Sequence, residues 1–105
     1  MWNTPSEDRL AKIPRLYETE DVPLGEKRIY LHFFMGASDW YAAEYDGEDI
    51  FFDFAILNND EMNSEWGYFS FSELKEINIA GFEIDCEKVE YWGCPKASEI
   101  PRIKT

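Results

Sequence analysis

Carboxylates are concentrated in one short stretch of the sequence, EYDGEDIFFDF, which spans residues 44–54. It contains no Lys or Arg and five acids: Glu44, Asp46, Glu48, Asp49 and Asp53. Carboxylates this close together can act as a general acid and base, hold a divalent cation, or present negative charge to a partner. They can also do no more than keep a small sheet hydrated. The elements that position these side chains decide between the interpretations.

Asp53 differs from the other four acids because it lies within an apolar strand pattern. The Asp46-Gly47 dipeptide predicts a hairpin turn, which makes the strands of Glu44 and Asp53 neighbours. Two facing carboxylates would raise one pKa or attract a cation, so one hypothesis is a small metal-dependent hydrolase or nuclease that uses Asp53 and Glu44. The sequence has a single His and no phosphate-cradling Gly loop. A solvated or partner-binding face is therefore the favoured interpretation.

Cys86, Cys94 and His32 are the candidate ligands for a soft metal. Seven residues separate the two cysteines, which is not the Cys-x-x-Cys spacing typical of zinc sites. A disulfide is not expected in a reducing cytoplasm, although the spacing could close a hairpin. Two inert thiols are the leading interpretation. The alternative is a zinc site in which a carboxylate such as Asp85 is the fourth ligand.

Hydrophobic alternation and turn signals predict an α+β fold: an antiparallel meander sheet of four to five strands, with short helices packed on one face. The predicted strands span residues 28–35, 39–45, 49–57, 66–71 and 87–92, and both faces of the third are apolar, which predicts that it is central. Helices are predicted at residues 4–14 and 73–77. Thr4 is the expected N-cap of the first, with Pro5 at its first position, and Ser72 is the expected N-cap of the second.

The negative charge lies mainly in one block. The net charge is −12, and residues 29–74 carry ten acids, no Lys or Arg, and 13 of the 18 aromatic residues. This balance argues against direct nucleic-acid binding and against an anionic membrane surface. It fits a basic protein surface reached by electrostatic steering. The acids predicted to bind such a partner are Glu44, Asp46, Glu48, Asp49, Asp60, Glu61 and Glu65.

The chain of 105 residues predicts a single domain over residues 1–105. No apolar run approaches the roughly 20 residues that a bilayer crossing requires. The first residues lack the basic start and apolar core of a signal peptide. We therefore expect a soluble cytoplasmic protein.

Three segments carry a family resemblance: LYETE at residues 16–20, EYDGED at residues 44–49 and GYFSFSEL at residues 67–74. With them, the chain from about residue 11 to residue 100 resembles the bacterial family catalogued as domain of unknown function 2958. That family has no assigned reaction, so the resemblance implies no catalytic residue. It implies an origin in plasmids, phages or integrative elements. The segment IDCEKVEYWGCPKASEI, with its two cysteines, departs from the family pattern.

A strongly acidic protein of such an origin is expected to inhibit host defence. The hypothesis is a non-enzymatic inhibitor of anti-CRISPR or anti-restriction type, which binds a basic, nucleic-acid-handling enzyme such as a CRISPR effector nuclease or a restriction enzyme and blocks its nucleic-acid loading. Two alternatives remain open: the metal-dependent hydrolase described above, and a plain accessory domain with a structural zinc site.

Overall fold

A computed structural model describes residues 3–79 and 82–105 of the chain. The strands are β1 (Leu31–Met35), β2 (Ser38–Tyr45), β3 (Ile50–Ile56), β4 (Glu65–Ser70), β5 (Asn78–Ile79), β6 (Phe82–Glu83) and β7 (Asp85–Cys86). The helices are α1 (Glu7–Ala11) and α2 (Phe71–Glu76), and single 3-10 turns form at Leu24–Glu26, Glu61–Asn63 and Ala97–Glu99.

The main sheet has five strands in the order β4-β3-β2-β1-β7, and every neighbouring pair is antiparallel. The first four strands form the predicted meander, and the α+β class is confirmed. β3 is paired on both sides, as its two apolar faces indicate, but the middle strand is β2 rather than β3. The predicted strand at residues 87–92 is wrong, because β7 ends at Cys86 and a turn follows.

The turns of the meander follow from local residue chemistry. Gly36 has φ of 56° in the two-residue connection between β1 and β2, a conformation that suits the twist of a tight hairpin. Gly47 has φ of 89° in the loop at residues 46–49 between β2 and β3, which confirms the hairpin that Asp46-Gly47 predicts. A Cβ atom at Gly47 would lie 2.9 Å from Cζ of Arg15, so a larger residue would also displace that side chain.

A β-bulge interrupts the pairing of β2 with β3. Ala42 faces Asp53, but the next paired residue of β2 is Glu44, which faces Phe52. Ala43 is therefore the extra residue, and the side chains that follow it change faces relative to strict alternation. The bulge decides which side of the sheet receives Glu44.

Each face of the sheet carries its own core. The first face packs Phe33, Trp40 and Phe51 against Phe71 and Leu74 of α2. Residues of the second face contact the C-terminal part of the chain, and that cluster comprises Ile29, Tyr41, Ala43, Phe54, Ile56, Ala97 and Ile103. The five-stranded sheet is thus covered on both sides. Its short helices lie on the first face, as predicted.

The predicted helix starts are displaced by two residues. Ser6, not Thr4, caps α1 by accepting a hydrogen bond from the backbone N–H of Arg9 at 3.2 Å, and Pro5 precedes the helix. Ser70, not Ser72, caps α2 by accepting from the N–H of Glu73 at 3.3 Å. In both cases two hydroxyl residues stand two positions apart in the sequence, and either type of residue is a favourable N-cap. Within the described ranges, no helix is both long and apolar enough to cross a membrane.

Candidate functional site

The predicted partner-binding acids divide between the two ends of β3. Glu44, Asp46, Glu48 and Asp49 lie in or beside the turn before the strand, whereas Asp60, Glu61 and Glu65 lie in or beside the loop after it. The seven residues of β3 separate the two groups by about 20 Å. These acids therefore do not form one continuous surface.

The acids before β3 are largely engaged in shaping the turn. Oδ1 of Asp46 accepts hydrogen bonds from the N–H groups of Glu48, Asp49 and Ile50 at 2.7–3.0 Å. Partial burial raises the pKa of Asp46, but these backbone hydrogen bonds outweigh it and the pKa is lowered overall. Glu48 alone in this group is a fully exposed acid.

Asp49 links the turn to α2. The hydroxyl of Ser70 donates to Asp49 Oδ2, and the N–H of Ser72 donates to Oδ1 at 2.8 Å. The hydrogen bond from Ser70 is the main reason that the pKa of Asp49 is lowered, with Ser72 contributing further. This carboxylate therefore stabilises the helix start.

The acids after β3 combine capping and exposure. Asp60 accepts from the N–H and the side-chain amide of Asn63, which closes the 3-10 turn. Oε1 of Glu61 lies 3.7 Å from Nε of Arg102. Glu65 is exposed at the start of β4. Their role in partner binding stays a prediction.

The bulge separates Glu44 from Asp53. Asp53 shares the first face of the sheet with its neighbours Phe51 and Ala55, whereas Glu44 shares the second face with Phe52. The two carboxylates that the hairpin was expected to bring together thus lie on opposite sides of the sheet. The geometry gives no support to a shared metal or acid-base site.

Asp53 is fully buried, and no donor in the described residues lies within hydrogen-bond distance of either oxygen. The indole of Trp40 extends from β2 to within 6.2 Å of the Phe69 ring on β4, so it crosses the position of Asp53 on β3. Burial raises the pKa of Asp53 well above its ordinary value, so the protonated form is favoured.

The candidate metal ligands are also kept apart. Cys86 pairs with Phe33 and belongs to the first face, while His32 lies on the second. Burial raises the pKa of the Cys86 thiol to about 11, which disfavours the thiolate that a metal requires. In the part of the chain that the structure describes, no group of three or more His, Cys, Asp or Glu side chains, including Cys94 and Asp85, could hold a metal ion.

His32 is engaged by other side chains. Its Nε2 lies 2.7 Å from Oδ1 of Asp39, whose other oxygen accepts from Nη1 of Arg102 at 3.0 Å. Its ring stacks on Tyr41 with the centroids 4.5 Å apart. These contacts place His32 in a hydrogen-bond network with Asp39 and Arg102 beneath the C-terminal part of the chain.

A pocket of about 460 Å³ lies on the second face. Its lining combines aromatic, aliphatic and charged side chains: Tyr17, Glu20, Val22, Pro23, Leu24, Lys27, Glu44, Phe52 and Tyr68. The segment at residues 17–27 forms one wall, and strands β2, β3 and β4 form the other. The bulge is what aims Glu44 into this pocket.

A buried ion pair lies at the base of the pocket. Nζ of Lys27 lies 3.8 Å from Oε2 of Glu44, and both side chains are less than a tenth exposed. Glu44 accepts hydrogen bonds from the backbone N–H of Tyr17 at 3.0 Å and of Thr19 at 3.1 Å. Lys27 donates to Oγ1 of Thr19 at 2.7 Å, and that hydroxyl in turn donates to Glu44. The network therefore fixes the loop to the sheet.

The loop held in this way presents two exposed rings. Tyr17 is 63% exposed and has φ of 73°, a left-handed conformation that strains a bulky residue. Tyr68 is 54% exposed on the edge strand β4. Partial burial raises the pKa of the Tyr68 hydroxyl, and the nearby Tyr17 hydroxyl raises it further, followed by Glu44 and Glu20. Glu20 lines the same pocket as these rings and is exposed, as are its sequence neighbours Glu18 and Asp21.

Sequence reasoning did not find this pocket. It identified Glu44 as a partner-binding or metal-binding acid beside a turn, and it assigned no site residue to the segment at residues 17–27. The available signals were the LYETE segment and Lys27, the last base but one before the block without positive charge. A resemblance carried by LYETE could have directed attention to Tyr17 and Thr19.

Comparison of the chain with protein-family models, with curated proteins and with solved structures finds no match. The resemblance to domain of unknown function 2958 therefore stays a prediction, and the site is interpreted from its own geometry.

Proposed function

We propose that this chain is a non-enzymatic acidic inhibitor that binds the basic surface of a nucleic-acid-handling enzyme. The target class is a CRISPR effector nuclease or a restriction enzyme in the bacterial cytoplasm, and binding blocks the loading of nucleic acid. The observation that carries the proposal is the surface formed by Tyr17 and Tyr68 with the exposed acids Glu18, Glu20 and Asp21, which we call the tyrosine-acid surface.

The composition of this surface supports protein binding. Exposed tyrosines are frequent hot spots in protein interfaces, because one rigid ring offers large apolar area together with a polar hydroxyl. The strained backbone at Tyr17 supports the same interpretation, since strain persists where the surrounding contacts hold a functional side chain in place. The buried Glu44–Lys27 pair provides that support.

Charge supports the choice of partner. The net charge of −12 favours association with a basic surface, and the basic grooves of nucleases are built for phosphates. The resemblance to proteins of mobile elements supports a defence enzyme as the target. Charge attraction of this kind weakens as salt screens it.

The test is a binding assay with purified CRISPR effector nucleases and restriction enzymes. Fluorescence anisotropy of labelled nucleic acid would measure the fraction that the chain displaces from each enzyme. The salt concentration would be varied from roughly 50 to roughly 500 mM NaCl, so that electrostatic screening is weak at one end and strong at the other. We expect the chain to displace nucleic acid from at least one enzyme of the panel. The extent of displacement should decline as the salt concentration rises. Absence of binding to every enzyme at low salt would reject the proposal.

Charge-reversal variants locate the surface. The triple variant Glu18→Lys/Glu20→Lys/Asp21→Lys is expected to abolish displacement. The matched control, Asp8→Lys/Glu73→Lys/Glu76→Lys, reverses three exposed acids on α1 and α2 at the other face of the sheet and is expected to keep most of it. Equal loss in both would show that only overall charge matters.

A further inference from the structure

The pocket beneath the tyrosine-acid surface has three aromatic walls. The rings of Tyr17, Phe52 and Tyr68 line it, and the Phe52 and Tyr68 centroids are 5.3 Å apart with their planes at 51°. Trp66 stacks behind Phe52 at 5.3 Å, which holds that ring in position. Aromatic rings placed at an angle around a cavity attract a cation through their negative faces.

The charges of the pocket also favour a cation. Glu20 and Glu44 line it as acids, and Lys27 is the base among the lining residues. The ammonium of Lys27 is already occupied by Thr19 and Glu44. The lining thus has a surplus of one negative charge. Glu18 and Asp21, which are exposed and flank the lining segment in the sequence, add to the negative charge of this part of the chain. A guest with one positive charge complements it.

We propose that this pocket binds a single arginine side chain, inserted from the basic surface of the partner. A guanidinium is planar, weakly hydrated and able to stack on tyrosine while it donates to a carboxylate such as Glu20. A volume of about 460 Å³ is within the range of ligand pockets and accommodates one long side chain. The proposal rests on the proposed function, because it names the partner group that the tyrosine-acid surface recognises.

The direct test uses a small probe in place of the partner. Nα-acetyl-arginine methylamide would be titrated into the ¹⁵N-labelled chain and followed by NMR. We expect saturable shifts at Tyr17, Glu20 and Tyr68, with affinity in the millimolar range that is roughly typical of one such contact. The citrulline analogue has the same shape and no charge, and it should bind at least about tenfold more weakly. Equal binding of the two probes would overturn the proposal.

Variants confirm the location. Tyr68→Leu removes one exposed wall and should weaken arginine binding about tenfold. Glu20→Gln removes one charge at an exposed position and should also weaken it, which keeps the test decisive if Tyr68→Leu disturbs the fold seen in the same spectra. Tyr91→Leu is the matched control, because Tyr91 is 75% exposed but is not a pocket residue. Unchanged binding in both pocket variants would reject the site.

The lysine analogue separates the two basic side chains. We expect it to bind more weakly than arginine, because an ammonium loses more hydration and cannot stack. Equal or tighter binding of lysine would overturn the assignment to arginine. Failure of the probe with retained binding to a nuclease would reject this inference alone, whereas probe binding without any nuclease binding would reject the proposed function alone.

Discussion

Glu44 and Asp53 are buried carboxylates on adjacent strands, yet they occupy opposite faces of the sheet and opposite chemical surroundings. Glu44 receives backbone hydrogen bonds from Tyr17 and Thr19 and lies beside the ammonium of Lys27. Asp53 has no hydrogen-bond donor among the described residues and is fully buried. One carboxylate organises a loop, and the other is enclosed by apolar groups.

The difference shows that burial alone does not define a functional acid. Glu44 accepts hydrogen bonds from the loop that carries Tyr17, so it fixes the position of an exposed residue that lines the pocket. Asp53 has a strongly raised pKa, which is a common sign of an active site, but it lacks access to a substrate. Connection to an open surface therefore counts for more than pKa perturbation.

The largest expected effect is the loss of Glu44. Glu44→Ala leaves the Lys27 ammonium without its carboxylate and two backbone N–H groups without their acceptor. We expect the free energy of unfolding to fall by about 3–5 kcal/mol, measured by urea denaturation. Glu48→Ala is the matched exposed control and should change it by no more than about 0.5 kcal/mol. Equal stability of the two variants would show that the network contributes nothing.

The second effect concerns Asp53 and depends on pH. Because its folded pKa lies well above 3.8, the folded state holds its proton at pH values where the unfolded state has released it. Stability contributed by protonation is therefore present in full below the unfolded pKa and is lost as pH rises through the folded pKa. The advantage of Asp53→Asn over the parent chain should grow by up to about 1.4 kcal/mol for each pH unit in that window. Urea denaturation from pH 4 upward would measure it, and a difference independent of pH would contradict it.

Asp49 provides the opposite pH dependence and a smaller effect. Its folded pKa is lowered, so its contribution is present above the unfolded pKa and is lost as pH falls through the folded value. Asp49→Asn should therefore be less stable than the parent chain by about 1 kcal/mol at neutral pH. The two should converge in acid, where both side chains are uncharged. The same denaturation series measures this, and a gap that persists at low pH would indicate a packing effect instead.

The smallest effect tests the strain at Tyr17. Asn tolerates the left-handed conformation better than Tyr, so Tyr17→Asn should raise the free energy of unfolding by about 0.5 kcal/mol. The same variant should weaken binding of the arginine probe, since it removes one wall of the pocket. Tyr91→Asn serves as control, because Tyr91 is not among the residues with positive φ and is also largely exposed, at 75% against 63% for Tyr17. Loss of stability at Tyr17 with no change at Tyr91 would show that the ring supports the fold rather than a function.

The meander could be predicted because its signals are local. Alternating apolar residues and the turn at Asp46-Gly47 both act over a few residues. The pairing of β1 with β7 could not be predicted, since it joins Phe33 to Cys86 across half the chain and β7 has only two residues. A strand of two residues is too short to show an alternation of apolar and polar residues.

The pocket was missed for a different reason. A bulge at Ala43 lies in a run of two alanines, where no side-chain preference shows which residue is the extra one. The shift nevertheless moves Glu44 to the other face and pairs it with Lys27 instead of Asp53. Strict alternation of side chains along a strand cannot predict a site whose geometry depends on one extra, unpaired residue in that strand.

The topology of the sheet also predicts the order in which its strands pair during folding. Short connections join strands β1 to β4, so these strands can pair with little loss of chain entropy. In contrast, β7 pairs with β1, and residues 92–103 pack on the second face, only after a long loop has closed. We therefore expect amide hydrogens of the meander to exchange most slowly, and those of β7 to exchange through local opening. The second face, which carries the pocket, would then be completed late in folding and opened first in the native protein.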